Sequence, residues 1–148
     1  MGDRTTVTLT FLPEGYEKAK ELNQEVEGNE ETYYSDPENI ELVEVFYHGV
    51  NGGNLDFEKV LQEEKIPYDK RWEPHPNFAG GCEYVRVDSD GEIITKEFYD
   101  GTEGVVPLAT LIEVRKGGLE AVDAFITTTL EEQAVLSWSE QVAILLVR

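Results

Sequence analysis

Two interleaved stripes between Glu14 and Val26 limit what the front of this chain can become. Tyr16, Ala19, Leu22 and Val26 recur at steps of three and four, the spacing that gathers apolar side chains on one side of an α-helix. Glu14, Glu17, Glu21 and Glu25 recur at the same steps. They form an acidic stripe with one carboxylate per roughly 6 Å of helix axis. Such a segment lies on a core by one face and shows negative charge on the other. Carboxylates continue beyond it. The stretch Glu14–Glu44 holds eleven of them (the four just named with Glu27, Glu30, Glu31, Asp36, Glu38, Glu41 and Glu44) against Lys18 and Lys20, a net charge of −9 in a chain whose total is −19.

Around that helix the order of elements is legible. Thr5 to Phe11 alternates, with Val7, Leu9 and Phe11 facing one way and threonines the other, the pattern of a strand with one buried face. Pro13 suits a first helical turn, and the helix is expected to run to about Val26. Glu27 to Asn39 reads as a polar loop, with Tyr33 and Tyr34 as its only large apolar content. Ile40 to Tyr47 is a second strand, His48 to Gly53 a flexible connection, and Asn54 a cap for a helix that buries Phe57, Val60 and Leu61. Tyr68 to Phe78 reads as a loop rich in proline and aromatics. Cys82 to Val87 and Glu92 to Tyr99 flank Asp88-Ser89-Asp90-Gly91 as a β-hairpin. Pro107 to Lys116 is a short helix stopped by two glycines, and Leu119 to Ile126 marks another. Thr129 with Glu132 is the spacing of a capping box. Beyond it Leu130, Ala134, Trp138, Val142, Leu145 and Leu146 form an apolar stripe expected in the core, although Val142 to Val147 also suits a strand. The expectation is one α+β domain over residues 1–148: a small mixed sheet built from βαβα and a hairpin, helices on one face, and a C-terminal helical segment. Were the first two strands parallel neighbours, their crossover would be right-handed.

Composition narrows function. At 148 residues the chain can bury about two-thirds of its unfolded surface. Fifteen aromatics among 40% hydrophobic residues suffice for a core. Acidic residues number 31 against 12 basic, which repels phosphate backbones and anionic lipid, so direct contact with nucleic acid or membrane is not expected. A single cysteine, Cys82, excludes an internal disulfide framework, and Met1-Gly2-Asp3-Arg4 lacks the apolar run of a signal peptide; both fit the cytoplasm.

No motif specifies a reaction, cofactor or metal. Asp88 to Gly91 fails as a calcium loop, since the sixth position counted from Asp88 is Ile93 and the twelfth Tyr99. His48, His75 and Cys82 lack zinc spacing, and Gly49 to Gly53 matches no phosphate loop. Cys82 reads as a small buried hydrophobe rather than a nucleophile. What remains is the acidic surface. Duplex DNA carries one charge per ~1.7 Å, which one helix cannot match. The stripe together with Glu27, Glu30, Glu31, Asp36 and Glu38 approaches that density if all share a face. The expected role is a non-enzymatic nucleic-acid mimic that binds a basic nucleic-acid-handling protein through Glu14, Glu17, Glu21, Glu25, Glu27, Glu30, Glu31, Asp36 and Glu38, with Arg71 and Trp72 as anchors. The alternative is a homo-oligomeric adaptor whose charge only keeps it soluble. Its seam would be the C-terminal helix with Trp138.

The segments Asn54-Leu55-Asp56 through Ile66-Pro67-Tyr68-Asp69, then Trp72, Gly81-Cys82-Glu83-Tyr84 and Tyr99-Asp100, carry a likeness. This middle of the chain, roughly residues 42–100, resembles small acidic proteins carried by phages and plasmids. The resemblance brings no catalytic residues. It implies a mobile-element setting, in which such proteins block host defences of the CRISPR or restriction type.

Overall fold

A computed structural model describes residues 2–147. The first strand follows directly from its alternation. β1 (Arg4–Phe11) puts Val7, Leu9 and Phe11 wholly inside, while Thr6, Thr8 and Thr10 stay partly exposed on the other face. α1 (Pro13–Leu22) lays Tyr16 and Ala19 on that core, and the Tyr16 ring stacks on Phe11 with centroids 5.7 Å apart. The helix stops short of Val26 because Asn23 is extended and its Oδ1 accepts the Glu25 amide at 2.9 Å. That local bond competes with the helical one. A 3-10 turn over Gln24–Glu27 then brings Val26 back into the core, whereas Leu22 stays exposed.

The polar segment that follows is a strand, not a loop. β2 (Glu30–Ser35) pairs antiparallel with β3 (Glu41–Asn51), Tyr33 opposite Val43. Asp36 closes the turn between them: its Oδ1 accepts the amides of Glu38 and Ile40, both at 2.9 Å, and Asn39 takes a φ of 62°. All six β2 residues are exposed, so the strand has no inside–outside alternation to read. β3 also runs on past Tyr47, and Val50 and Asn51 pair with Thr5 and Arg4 where a flexible connection was expected. β1 and β3 are neighbours but antiparallel, since β2 adds one more chain reversal between them. The connection through α1 instead joins β1 to β2, which run parallel with β3 between them.

α2 (Glu58–Glu63) buries Leu61, with Phe57 just before it. Asn54 does not cap it; its amide donates to the Gly52 carbonyl at 3.3 Å, while the Glu58 carboxylate accepts the Leu55 amide at 2.8 Å. β4 (Tyr68–Trp72) lies in the middle of the sheet, in residues expected to form a loop. β5 (Gly81–Val87) and β6 (Ile93–Tyr99) make the expected hairpin, with the Asp88 carboxylate accepting the amides of Asp90 at 2.9 Å and Glu92 at 2.8 Å. The six strands run in the order β2-β3-β1-β4-β5-β6, and each neighbouring pair is antiparallel. Like β1 and β2, β3 and β4 run parallel; they are joined through α2 and have β1 between them.

Three helices end the chain: α3 (Leu108–Arg115), α4 (Leu119–Gln133) and α5 (Trp138–Val147). α4 passes uninterrupted through Thr129, so Thr129 and Glu132 form no capping box. The box stands eight residues later. The Ser137 amide donates to Glu140 Oε2 at 2.7 Å and the Glu140 amide to Ser137 Oγ at 3.2 Å, which starts α5 and makes its last residues helix rather than strand. Of the expected apolar stripe only Trp138 is buried, joined by Gln141; Leu130 and Leu146 are open to solvent.

Helices stand on both faces. Tyr68 and Val85 face the core under α1 and α2, so Asp69 and Arg86, their neighbours in sequence, point off the opposite face by strand alternation. There α5 is anchored. Trp138 Nε1 donates to Asp69 Oδ2 at 3.1 Å, and the Arg86 guanidinium lies 4.0 Å from the Trp138 ring centre. Arg86 Nη1 is 2.6 Å from Asp69 Oδ1 and its Nε donates to the Leu136 carbonyl at 2.9 Å. One helical turn on, Gln141 exchanges two hydrogen bonds with the backbone of Val87, at 2.8 and 3.1 Å.

Candidate functional site: an acidic sheet edge

Sequence spacing and strand pairing together gather six of the front carboxylates along one edge of the sheet. Glu17, Glu21 and Glu27 line a shallow depression of about 430 Å³ with Lys20 and Gln24. Glu25 and Glu27 rim a wider, polar cleft of about 820 Å³, whose far side carries His48, Asn51, Asn54 and Asp56. Glu27 belongs to both, so the two surfaces are continuous. Glu31 joins from β2, because the buried Tyr16 ring sends its hydroxyl to the Glu27 carbonyl at 3.4 Å and toward the Glu31 side chain. Burial first, and then Glu31, hold the Tyr16 phenol protonated far above its ordinary range. Glu30 lies 3.9 Å from His48 Nε2.

Cations do little to neutralise this edge. Lys20 pairs with Glu17 at 2.8 Å, and that hydrogen bond raises its own pKa, so it stays charged. Lys18 turns away to Glu64, at 3.7 Å. Among the described residues no cation pairs with Glu21, Glu25, Glu27 or Glu31. Tyr33 stands beside them on β2, 54% exposed, whereas Tyr34, 40% exposed, points to the other face and lines the pocket of Arg71 and Glu44. Two adjacent tyrosines in an otherwise polar segment were the signal for this pair, legible only once the segment is known to be an edge strand.

The remaining expected site residues lie elsewhere. Glu14 sits at the other end of α1, in a groove of about 410 Å³ with Glu41 and the apolar Leu12, Ile40, Val142 and Leu145. Asp36 is occupied by the β2–β3 turn, and Glu38 receives the Ser139 hydroxyl of α5. Arg71 is exposed on the opposite face, beside Glu44, Asp69, Cys82 and Tyr84 around a pocket of about 250 Å³. Trp72 is half-buried, donates to the Ala79 carbonyl at 2.9 Å and meets Tyr99 edge-on at 6.2 Å. Two strands, β3 and β1, separate Arg71 and Trp72 from β2, so they do not join the acidic edge.

Other chemistry-bearing groups have structural partners. Cys82 is buried, its Sγ 3.8 Å from a Glu103 oxygen that also takes the Tyr84 hydroxyl, at 3.4 Å. Burial pushes the thiol above its ordinary value, which disfavours the reactive thiolate. Among the described residues no cluster of His, Cys, Asp and Glu is arranged to hold a metal ion, and no helix is long and apolar enough to cross a membrane.

Glu83 makes a measurable case of crowded charge. It is partly buried on β5, directly opposite Lys70 on one side and Glu97 on the other. Burial raises its carboxyl pKa despite Lys70. The folded state therefore holds this proton more tightly than the unfolded chain, and the stabilisation is present at low pH and lost as pH rises through the raised value. Glu83→Gln is expected to stabilise the fold at pH 7 by about 0.5 kcal/mol, because an amide costs less to bury than a carboxylate and no longer repels Glu58 and Glu97. The gain should shrink near pH 4. Urea unfolding at the two pH values checks it, and a variant less stable than wild type at pH 7 contradicts it.

Searches against protein families, curated sequences and solved structures find no match for this chain.

Proposed function

We propose that this protein is a non-enzymatic inhibitor that presents its acidic sheet edge to a basic, nucleic-acid-handling protein and keeps DNA or RNA out of the groove it occupies. The observation that carries this reading is the single edge formed by Glu17, Glu21, Glu25, Glu27, Glu30 and Glu31, with Lys20 the one lysine among the described residues that lines it. Fields of opposite sign steer such partners together and make their association sensitive to salt. Exposed Tyr33 stands beside the charge with the kind of amphipathic ring that anchors interfaces. In this reading Arg71 and Trp72 take no part, and the protein acts in the cytoplasm of a cell invaded by a mobile element, against a CRISPR-type or restriction-type defence.

The test uses the intact chain immobilised in a host lysate and eluted with a salt gradient. A nucleic-acid-binding protein should elute at raised salt and lose its DNA or RNA when the chain is added. Glu17→Lys/Glu21→Lys/Glu25→Lys is expected to weaken that capture by at least ~30-fold at physiological salt, because reversing three charges turns steering into repulsion. All three side chains are exposed, so the circular dichroism spectrum should not change. Undiminished capture by the triple variant rules the reading out.

A further inference from the structure

The C-terminal hairpin poses a different problem. α3 and α4 are joined by Lys116, Gly117 and Gly118, the last at a φ of 85°, where only glycine sits without strain. Neither helix buries a single residue. Yet α3 is apolar nearly all round, with Leu108, Ala109, Leu111, Ile112 and Val114 in eight residues. On α4, Leu119, Ile126 and Leu130 fall within one narrow stripe at helical spacing. Leu108, Leu119 and Leu130 are 71%, 75% and 67% exposed. Of the fifteen large hydrophobic side chains left exposed among the described residues, ten lie between Val105 and Val147. A helix apolar on all sides is stable when buried, and apolar area on this scale marks a contact surface.

Charge indicates what covers it. Between Val105 and Gln133, the end of α4, stand five acidic and two basic residues, a net charge of −3 in a chain of −19. A second copy of so acidic a molecule is repelled by the α1–β2 edge and meets least repulsion here. The few charges are also self-complementary. Arg115, with no acidic partner among the described residues, sits with Lys116 at the hairpin tip, while Glu131 and Glu132 end α4. Two hairpins packed antiparallel about a two-fold axis set each basic tip against the other's acidic end. An anionic membrane is a poor occupant for the same reason, as two cations do not offset the charge of the rest.

We infer that the α3–α4 hairpin is the homodimer interface of this protein, an isologous contact made by Leu108, Leu111, Ile112, Leu119, Ile126 and Leu130. It moves the dimer seam away from Trp138, which is engaged with Asp69 and Arg86 inside each copy. The acidic edge is not needed for it.

Sedimentation equilibrium of the full chain under reducing conditions, from low to high micromolar and in low and high salt, tests the inference. The expected result is a dimer that tightens as salt screens the like charges. Leu108→Glu/Leu130→Glu adds carboxylates at two open positions, so it should keep the wild-type circular dichroism spectrum and weaken the dimer by roughly 100-fold or more. The triple charge reversal on α1 should leave the dimer intact, which separates this inference from the inhibitor reading. A monomer at every concentration overturns it, as does a dimer equally tight in the double variant or binding of the wild-type monomer to anionic vesicles.

Discussion

Arg86→Ala is expected to destabilise the fold by about 3–5 kcal/mol, the cost of removing one partner from a buried, hydrogen-bonded ion pair. Arg86 is 4% exposed. Its loss strands the Asp69 carboxylate, leaves the Leu136 carbonyl without its donor and takes the cation from the face of Trp138. The same guanidinium also bonds the Val85 carbonyl at 3.1 Å. At ~2–4 °C per kcal/mol for a chain of this size, the melting midpoint should fall by roughly 10 °C. The loss should appear first where α5 meets the sheet. In a Trp72→Phe background the only indole is Trp138, so its fluorescence reports that contact, and it should change at lower urea than the far-ultraviolet signal of the sheet. Arg86→Lys should recover only part, because a lysine cannot reach Asp69, Leu136 and Val85 with one fork. A change below about 1 kcal/mol in Arg86→Ala would mean that the pair and its hydrogen bonds are dispensable.

The second large effect belongs to Lys70. This lysine is 6% exposed on central strand β4, with its ammonium 2.8 and 2.9 Å from the two oxygens of Glu58 and 5.6 Å from the Trp72 ring. Lys70→Met is expected to cost about 3 kcal/mol, most of it from leaving the Glu58 carboxylate largely buried and unpaired. Lys70→Met/Glu58→Gln should return most of that loss. The glutamine carbonyl keeps a bond to the Leu55 amide, and no charge is left to desolvate. Chemical denaturation of the two single variants and the double variant gives the coupling directly. If the double variant is as unstable as Lys70→Met, the penalty lies in lost packing rather than in the stranded charge.

These two residues explain why β4 was not legible as a strand. Tyr68-Asp69-Lys70-Arg71-Trp72 carries three consecutive charges, which in isolation describe a solvated loop. Asp69 is matched by Arg86 on β5 and by Trp138 on α5, and Lys70 by Glu58 on α2. Every partner is at least a dozen residues away or comes from another element, so no local window contains the compensation. β2 is illegible in the sequence for the opposite reason. As an exposed edge strand it buries nothing, and it is held by backbone pairing with β3 and by the Asp36 turn. Thr129 and Glu132 have the spacing of a capping box, but the same signature at Ser137 and Glu140 is the one that starts a helix, since the chain breaks its helical path at Ala134.

Residues near one another in the chain determined what short-range physics decides. The threonine–aliphatic alternation of β1, the interleaved stripes of α1, the aspartate–glycine hairpin between β5 and β6 and the accumulation of negative charge all follow from spacing alone. Tertiary structure decided the antiparallel order of the strands, which buried charges meet, and which carboxylates share an edge. Glu17 and Glu31 come together, while Glu14, Glu38 and Arg71 are carried away, because strand pairing and chain reversal fix distances between residues far apart in sequence. The exposed α3–α4 hairpin belongs there too: periodicity shows that a helix is apolar, but only the packed molecule shows which apolar faces are left uncovered.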